Sequence, residues 1–274
     1  MIETFYLSEW RQHVPWIADY QVEQDLIISR ALINLYERER IRENLVFRGG
    51  TALNKLFFKP PLRYSEDIDL VQITSQPIGP LILEIRTALS WLGQPKGKLT
   101  SRSAKLTYQY SSIDNIQRKL KIEINTTEHF SVYDLIDYEF AIASTWFSGK
   151  SVIKTYQINE LIGTKLRALY QRSKGRDLYD IWFVLKKELI DCEAVISIFK
   201  KYCGNEGLSI TRAEFEKNLF EKRQDSNFQN DIIHLIADQA MWSPDEAFQM
   251  VNEQLVSLLP GKPWKSKKKI SGEQ

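Results

Sequence analysis

Two short segments near the start of the chain decide the fold prediction. They read Phe47-Arg48-Gly49-Gly50-Thr51-Ala52-Leu53 and Arg63-Tyr64-Ser65-Glu66-Asp67-Ile68-Asp69-Leu70. The first joins an apolar run, a glycine pair and helix-favouring residues, which predicts a strand, a turn and a helix. The second alternates acidic and apolar residues, which predicts a strand with Asp67 and Asp69 on one face and Ile68 and Leu70 facing the core.

Each segment has a chemical interpretation beside a purely structural one. Gly49 and Gly50 let backbone N–H groups approach an anion such as a triphosphate, or they form an ordinary tight turn. Asp67 and Asp69 offer paired oxygen ligands to a cation such as Mg²⁺, or they end a strand in solvent. Neither segment alone separates these alternatives.

A third carboxylate extends the chemical interpretation. Glu123 lies in an alternating polar and apolar stretch, 118–125, which predicts a half-buried strand with Glu123 on the face away from the core. The alternative is a solvated strand face. A phosphate-binding turn, a metal-binding pair and a carboxylate able to activate a hydroxyl together suit phosphoryl or nucleotidyl transfer, because that chemistry depends on positioning and charge neutralisation.

Periodicity along the rest of the chain predicts an α+β first half and a helical second half. Strands are expected over 45–47, 68–73, 105–110 and 118–125, and helices over 22–42, 51–56, 82–92, 159–171, 177–189, 192–202, 212–220, 228–240 and 245–258. We therefore expect an α+β lobe over residues 1–155 and a helical lobe over 156–274 that completes a shared cleft. A basic tail is expected from about residue 262.

The helical half contributes further charged candidates. Lys165 falls within the apolar stripe of its predicted helix, so its ammonium either reaches out along the edge of the stripe or points into a cleft toward phosphates. Asp177 suits a helix N-cap and Asp180 a positive first turn, or both belong to an active site. A local basic cluster, which either follows a nucleic-acid backbone or is solvated, comprises Arg167, Arg172, Lys174 and Arg176.

Composition excludes several protein classes. The 274 residues are 43% hydrophobic and 26% charged, which is typical of a compact soluble protein and not of a disordered or fibrous one. The net charge is only +2, so any nucleic-acid contact must be local. Two cysteines and three histidines lack the spacing of a zinc site or a disulfide framework. Without a signal-peptide pattern or a membrane-spanning apolar stretch, we expect a cytoplasmic protein with no membrane contact.

Five ordered blocks resemble the AbiEii/AbiGii toxin nucleotidyltransferase family, a branch of the DNA polymerase β-like nucleotidyltransferases that includes the MenT-like toxins. The resemblance runs from about Val22 to Leu185. The blocks are Gly49–Leu53, Arg63–Leu70, Lys121–Glu123, Glu160–Leu169 and Arg176–Asp180.

The resemblance implies a polymerase β-like mixed sheet with flanking helices, followed by a helical lobe. It implies transfer of an NMP from an NTP with Mg²⁺, or Mn²⁺, by the toxin of a toxin–antitoxin or phage-defence system, and a cognate antitoxin as partner. Because MenT-like relatives act on tRNA 3′ ends, RNA is the favoured acceptor. The alternatives are a protein or small-molecule acceptor, or a catalytically silent module that binds nucleotide or antitoxin.

Roles for individual residues follow from the same resemblance. Ser65 would lie beside the nucleotide, and Lys165 would contact the triphosphate. The remaining assignments are phosphate binding by Gly49, Gly50 and Thr51, metal binding and catalysis by Asp67, Asp69 and Glu123, and membership of the last catalytic motif for Asp177 and Asp180. Glu123 would be either a base or a second-metal ligand.

Overall fold

The first part of the chain contains both helices and strands. The computed structural model describes residues 2–265. Its early helices are α1 (Thr4–Trp10), α2 (Asp19–Tyr36), α3 (Glu39–Asn44), α4 (Gly49–Ala52) and α5 (Gly79–Ala88). Its strands are β1 (Leu45–Arg48), β2 (Asp67–Gln72), β3 (Lys96–Leu99), β4 (Ser103–Ser111), β5 (Gln117–Asn125), β6 (Ile136–Ala143) and β7 (Ser148–Thr155).

The second part of the chain is helical over its described length. Its helices are α6 (Ile158–Gln171), α7 (Gly175–Lys186), α8 (Cys192–Asn205), α9 (Arg212–Gln224), α10 (Ser226–Asn230) and α11 (Pro244–Gln254). Two compact units result. Unit 1 runs to Leu161 and includes Leu235–Asp238, and unit 2 comprises Ile162–His234 and the described residues from Gln239 onward. The division falls inside α6, and the predicted lobes 1–155 and 156–274 with their cleft stay a prediction.

One mixed sheet organises unit 1. Its strand order is β3-β4-β5-β2-β1-β7-β6. The central strand β2 pairs antiparallel with β1 and parallel with β5, while β1 pairs parallel with β7. Antiparallel pairs β3–β4, β4–β5 and β6–β7 complete the sheet. This confirms the predicted α+β fold, a mixed sheet with flanking helices.

The core of unit 1 lies where the alternating patterns place it. Ile68 and Ile122 are fully buried, and most residues of α2 are buried as well. Polar residues between these positions therefore take the other face of β2 and β5. That face carries the predicted acidic residues.

Several predicted elements differ from the structure. The single helix expected over 22–42 is divided into α2 and α3 at residues 37–38. The helix expected over 228–240 is wrong apart from its start. There the chain leaves α10 for turns, because Leu235 accepts a hydrogen bond from the Tyr64 backbone N–H at 2.7 Å and Ile236 forms a β-bridge with Arg63. No pattern in the sequence predicts α1, β3, β6 or β7.

Two further expectations concern the chain as a whole. Within residues 2–265, no helix combines the length and apolar content needed to cross a bilayer. Of the predicted basic tail, Lys262 and Lys265 are described without regular structure. The tail lysines at 267–269 lie outside the described residues.

Candidate active site

Strand register brings the acidic residues of unit 1 together. In the parallel β2–β5 pair, Asp67 stands opposite Lys121 and Asp69 opposite Glu123. Asp67 is 37% exposed and Glu123 43% exposed at the side chain, so both are accessible. Lys121 Nζ lies 3.7 Å from Asp67 Oδ1. The predicted face of β2 and β5 is therefore acidic at its centre.

The glycine turn lies directly against this acidic face. Gly49 has φ +82°, a conformation that L side chains rarely adopt, and an ideal Cβ built on it would lie 2.4 Å from Asp69 Oδ2. A Cβ on Gly50 would lie 2.1 Å from Nη2 of the buried Arg63. A side chain at either position would therefore displace Asp69 or Arg63, which glycine avoids.

Thr51 joins the turn to the start of β2. Its hydroxyl is buried and donates to the backbone carbonyl of Asp67. Since a hydroxyl carries a single hydrogen, the 2.6 Å contact with Ser65 Oγ is one in which Ser65 donates and Thr51 accepts. This arrangement suits Thr51 to position the turn, and it leaves the half-buried Ser65 as the more accessible hydroxyl of the two.

Asn54 fixes the loop that returns to β2. Its Nδ2 donates to the Gly50 carbonyl at 2.8 Å, and its Oδ1 accepts from the backbone N–H groups of Leu62 at 2.9 Å and Arg63 at 3.3 Å. A single buried amide therefore satisfies backbone groups on both sides of the loop. Asn54 thereby connects the glycine turn to the segment that leads into β2.

Arg48 is a site residue that the sequence analysis missed. It stands opposite Asp69 in the β1–β2 register and forms a 2.6 Å ion pair with Glu128. Burial acts to lower the pKa of its guanidinium, but the charge and hydrogen bond of Glu128, with smaller contributions from Tyr156 and Asp69, outweigh burial and raise that pKa above its usual value. Its position immediately before the glycine pair, just after the strand predicted over 45–47, is the signal that could have found it.

The donor set of unit 1 fits a divalent cation through its aspartates. Asp67 and Asp69 share one strand face, and Gly49 leaves open the space beside Asp69 Oδ2 that a Cβ would fill. Among residues 2–265, no three His, Cys, Asp or Glu side chains converge as a ready-made metal site. Glu123 forms a 2.9 Å ion pair with Lys105 and would have to turn away from it to become a third ligand.

Unit 2 brings Lys165, Asp177 and Asp180 together. The Lys165 ammonium lies 2.6 Å from Asp180 Oδ2 and 3.3 Å from Asp177 Oδ1, and all three residues are buried. The Arg172 guanidinium also donates two hydrogen bonds to the Asp177 carboxylate, at 2.7 and 2.9 Å. Lys165 therefore does not reach solvent along the edge of the stripe, because both carboxylates hold it inside.

The helix positions predicted for Asp177, as an N-cap, and for Asp180, in the first turn, are both wrong. Helix α7 begins at Gly175 with Lys174 as N-cap, so Asp177 lies in the first turn and is not a cap, while Asp180 lies beyond that turn. Each member of the predicted basic cluster also has a carboxylate partner. Arg172 pairs with Asp177, Arg167 with Glu206, and Lys174 and Arg176 with Asp231.

The sequence of residues 30–250 matches the family model described as nucleotidyl transferase AbiEii toxin, type IV toxin–antitoxin system. The chain belongs to the AbiEii nucleotidyltransferase toxin family. The predicted family membership and enzyme class are thereby confirmed. No curated protein matches the chain.

Solved structures resemble this AbiEii protein in fold. MenT4, a nucleotidyltransferase toxin from Mycobacterium tuberculosis H37Rv, is 18% identical with a TM-score of 0.64, covering 93% of this chain and 90% of that one. A candidate nucleotidyltransferase from H. pylori is 17% identical with a TM-score of 0.50, covering 86% and 93%. At these identities the likeness shows the nucleotidyltransferase fold. The roles of individual site residues stay predictions.

Proposed function

We propose that this AbiEii protein transfers an NMP from an NTP to a hydroxyl of RNA, at the 3′ end of tRNA, and that a cognate antitoxin restrains it. The observation that carries the proposal is the placement of the Gly49 turn against Asp69. Backbone N–H groups that can bind phosphate, next to a carboxylate that can bind a metal ion, suit an enzyme that transfers a phosphate-containing group.

The proposed reaction is an in-line displacement. The acceptor oxygen forms a bond to the α-phosphorus of the NTP, the bond from that phosphorus to the bridging oxygen breaks, and pyrophosphate leaves with the electron pair. The hydroxyl proton passes to a carboxylate or to water. Mg²⁺ or Mn²⁺ held by Asp67 and Asp69 would supply charge neutralisation. Backbone N–H groups of Gly49 and Gly50 orient the phosphates.

The other assigned residues have positioning, proton-transfer or binding roles in this reaction. Thr51 and Ser65 position the turn against β2, and Glu123 serves as a base or as a further ligand once it leaves Lys105. By the family resemblance, Lys165 contacts the triphosphate. Its burial between Asp177 and Asp180 supports a positioning role for those carboxylates.

The acceptor is tested by labelling. Each of the four α-labelled NTPs is incubated with Mg²⁺, the full chain and one of three acceptors: total bacterial tRNA, a protein lysate or aminoglycosides. We expect label on tRNA alone, with wild type but not with Asp67→Ala. Asp137→Ala is the matched control, because Asp137 is an exposed strand aspartate that also pairs with a lysine, at 3.0 Å.

Other outcomes would replace the proposal. Label on protein or on an aminoglycoside would assign a different acceptor class. Binding of NTP in a calorimeter without transfer to any acceptor would indicate a silent nucleotide-binding module. Full transfer by Asp67→Ala would remove Asp67 from the site.

A further inference from the structure

The acidic face of the sheet continues into a surface rich in lysine. Side chains on the same face as Asp67 and Glu123 are found by following the register outward, because residues directly paired across strands point the same way. Lys105 pairs with Glu123 and with Lys98, and Thr107 pairs with Lys121 and with Lys96. This surface, called the lysine face below, comprises Lys96, Lys98, Lys105, Lys119 and Lys121.

The lysine face is accessible and carries unbalanced charge. All of its lysines are exposed, and the residues that alternate with them, such as Leu106 and Leu120, are buried. Lys105 and Lys121 pair with carboxylates at the acidic centre. Among the described residues, Lys96, Lys98 and Lys119 have no ion-pair partner. Three positive charges on this face are therefore left without compensation.

Protection of a sheet edge does not account for this charge. Lysines on edge strands discourage edge-to-edge pairing, which would explain Lys96 and Lys98 on β3. It does not explain Lys119 and Lys121, because β5 is an interior strand. The opposite side of the sheet is also differently composed, since the charged residues of β6 and β7 are balanced in sign. They are Asp137, Glu139, Lys150 and Lys154.

We propose that the lysine face binds the phosphate backbone of the RNA acceptor and leads its terminal hydroxyl to Asp67 and Asp69. This inference rests on the proposed function. Strands lie about 4.8 Å apart, so the face spans roughly 10 Å from β3 to β5, enough to meet successive phosphates of one strand. A chain with a net charge of only +2 can thus still present a local basic surface.

The test measures binding of the 274-residue chain to total tRNA without NTP over a range of salt concentrations. The variant is Lys96→Ala/Lys98→Ala/Lys119→Ala, which spares the lysines paired with Asp67 and Glu123. Its matched control is Lys150→Ala/Lys200→Ala/Lys201→Ala, which removes the same charge from exposed lysines elsewhere. Because each phosphate contact contributes about 0.7 to the slope of log K against log salt for a single strand, the face variant should lose about 2 from that slope.

The outcomes separate the lysine face from the proposed function. The control should keep the wild-type slope, and the face variant should also show a raised KM for tRNA in the labelling assay. Equal slopes for the two variants, or no binding of tRNA by wild type, would overturn the lysine face. Salt-dependent binding through the face without any transfer of label would instead retain the face and reject the proposed acceptor.

Discussion

Gly49 and Asp69 lie so close that a Cβ on Gly49 would stand 2.4 Å from Oδ2 of Asp69. The positive φ of +82° and this contact both require glycine. A residue with a side chain would have to push away the carboxylate that the proposed reaction uses. The conformation of the glycine turn and the position of the Asp69 carboxylate therefore depend on each other.

Replacing Gly49 should damage activity more than stability. In Gly49→Ala, the methyl group displaces Asp69, and a misplacement of about 1 Å costs roughly 100-fold in rate. The backbone strain of a side chain at positive φ should lower the free energy of unfolding by about 1–3 kcal/mol. Labelled transfer and urea unfolding measure the two effects.

Gly93→Ala is the matched control for that variant. Gly93 has φ +83° but nothing within 4 Å of its Cβ position. It should lose comparable stability and keep full activity. Equal activity in the two variants would contradict the importance of the contact with Asp69.

Thr51 should act through its hydroxyl. Thr51→Val keeps the shape but removes the hydrogen bond to the Asp67 carbonyl and the contact with Ser65. A neutral hydrogen bond contributes about 1 kcal/mol, so we expect roughly a fivefold to tenfold lower kcat for labelled transfer. Thr51→Ser should restore it. Thr87→Val, which removes an exposed threonine hydroxyl on α5, should leave kcat unchanged; a similar loss there would show that the effect is not local.

Asp177 should stabilise unit 2. Asp177→Asn leaves the buried Lys165 with Asp180 alone and takes the charge from the two hydrogen bonds of Arg172. Disrupting a buried ion pair typically costs about 3–5 kcal/mol, which denaturant unfolding would detect. The control is Glu246→Gln in the half-exposed pair with Lys186, where the loss should stay below about 1 kcal/mol. Equal losses would contradict a structural role for the buried network.

Lys222 should make stability depend on pH. Its ammonium donates to carbonyls in the last turn of α6, including that of Tyr170 at 3.0 Å. Burial lowers its pKa to about 8, against the opposing charges of Asp177 and Glu221. Because the unfolded state keeps the proton up to the ordinary lysine pKa, it binds more protons than the folded state above about pH 8.

The wild-type free energy of unfolding should therefore rise from about pH 8 to about pH 10, relative to Lys222→Met. Below that window both states are protonated, so the difference between the two proteins should be constant. Lys217→Met, at a 60% exposed position on the same helix, should run parallel to wild type. A flat difference between wild type and Lys222→Met across the window would refute the assignment.

Local patterns predicted the parts of the fold that depend on local burial. The alternation around Asp67 and Glu123 is confirmed because one face of β2 and β5 packs in the core. The helix expected over 228–240 fails because backbone groups of Leu235 and Ile236 pair with residues distant in sequence. The hydrophobic periodicity of a segment does not indicate that its backbone will pair with residues distant in the sequence.

In the candidate site too, local spacing predicts some features, while others depend on contacts between distant parts of the chain. Spacing indicated that Asp67 and Asp69 share a face, but the register that sets Arg48 beside Asp69 depends on how strands pair. Lys165 stands out in the sequence because it lies within an apolar stripe. Its partners could not be read from spacing, because the true start of α7 at Gly175 changes the positions of Asp177 and Asp180 in the helix.

Nucleotidyl transfer is distinguished from other phosphate chemistry by where each phosphorus of the NTP ends. Wild type, Asp67→Asn and Asp137→Asn are each given tRNA with NTP labelled at the α or at the γ phosphate, and the label on tRNA and in released pyrophosphate is measured. We expect α label on tRNA and γ label in pyrophosphate for wild type and Asp137→Asn, and neither for Asp67→Asn. Transfer of γ label to the acceptor, or unchanged transfer by Asp67→Asn, would contradict it.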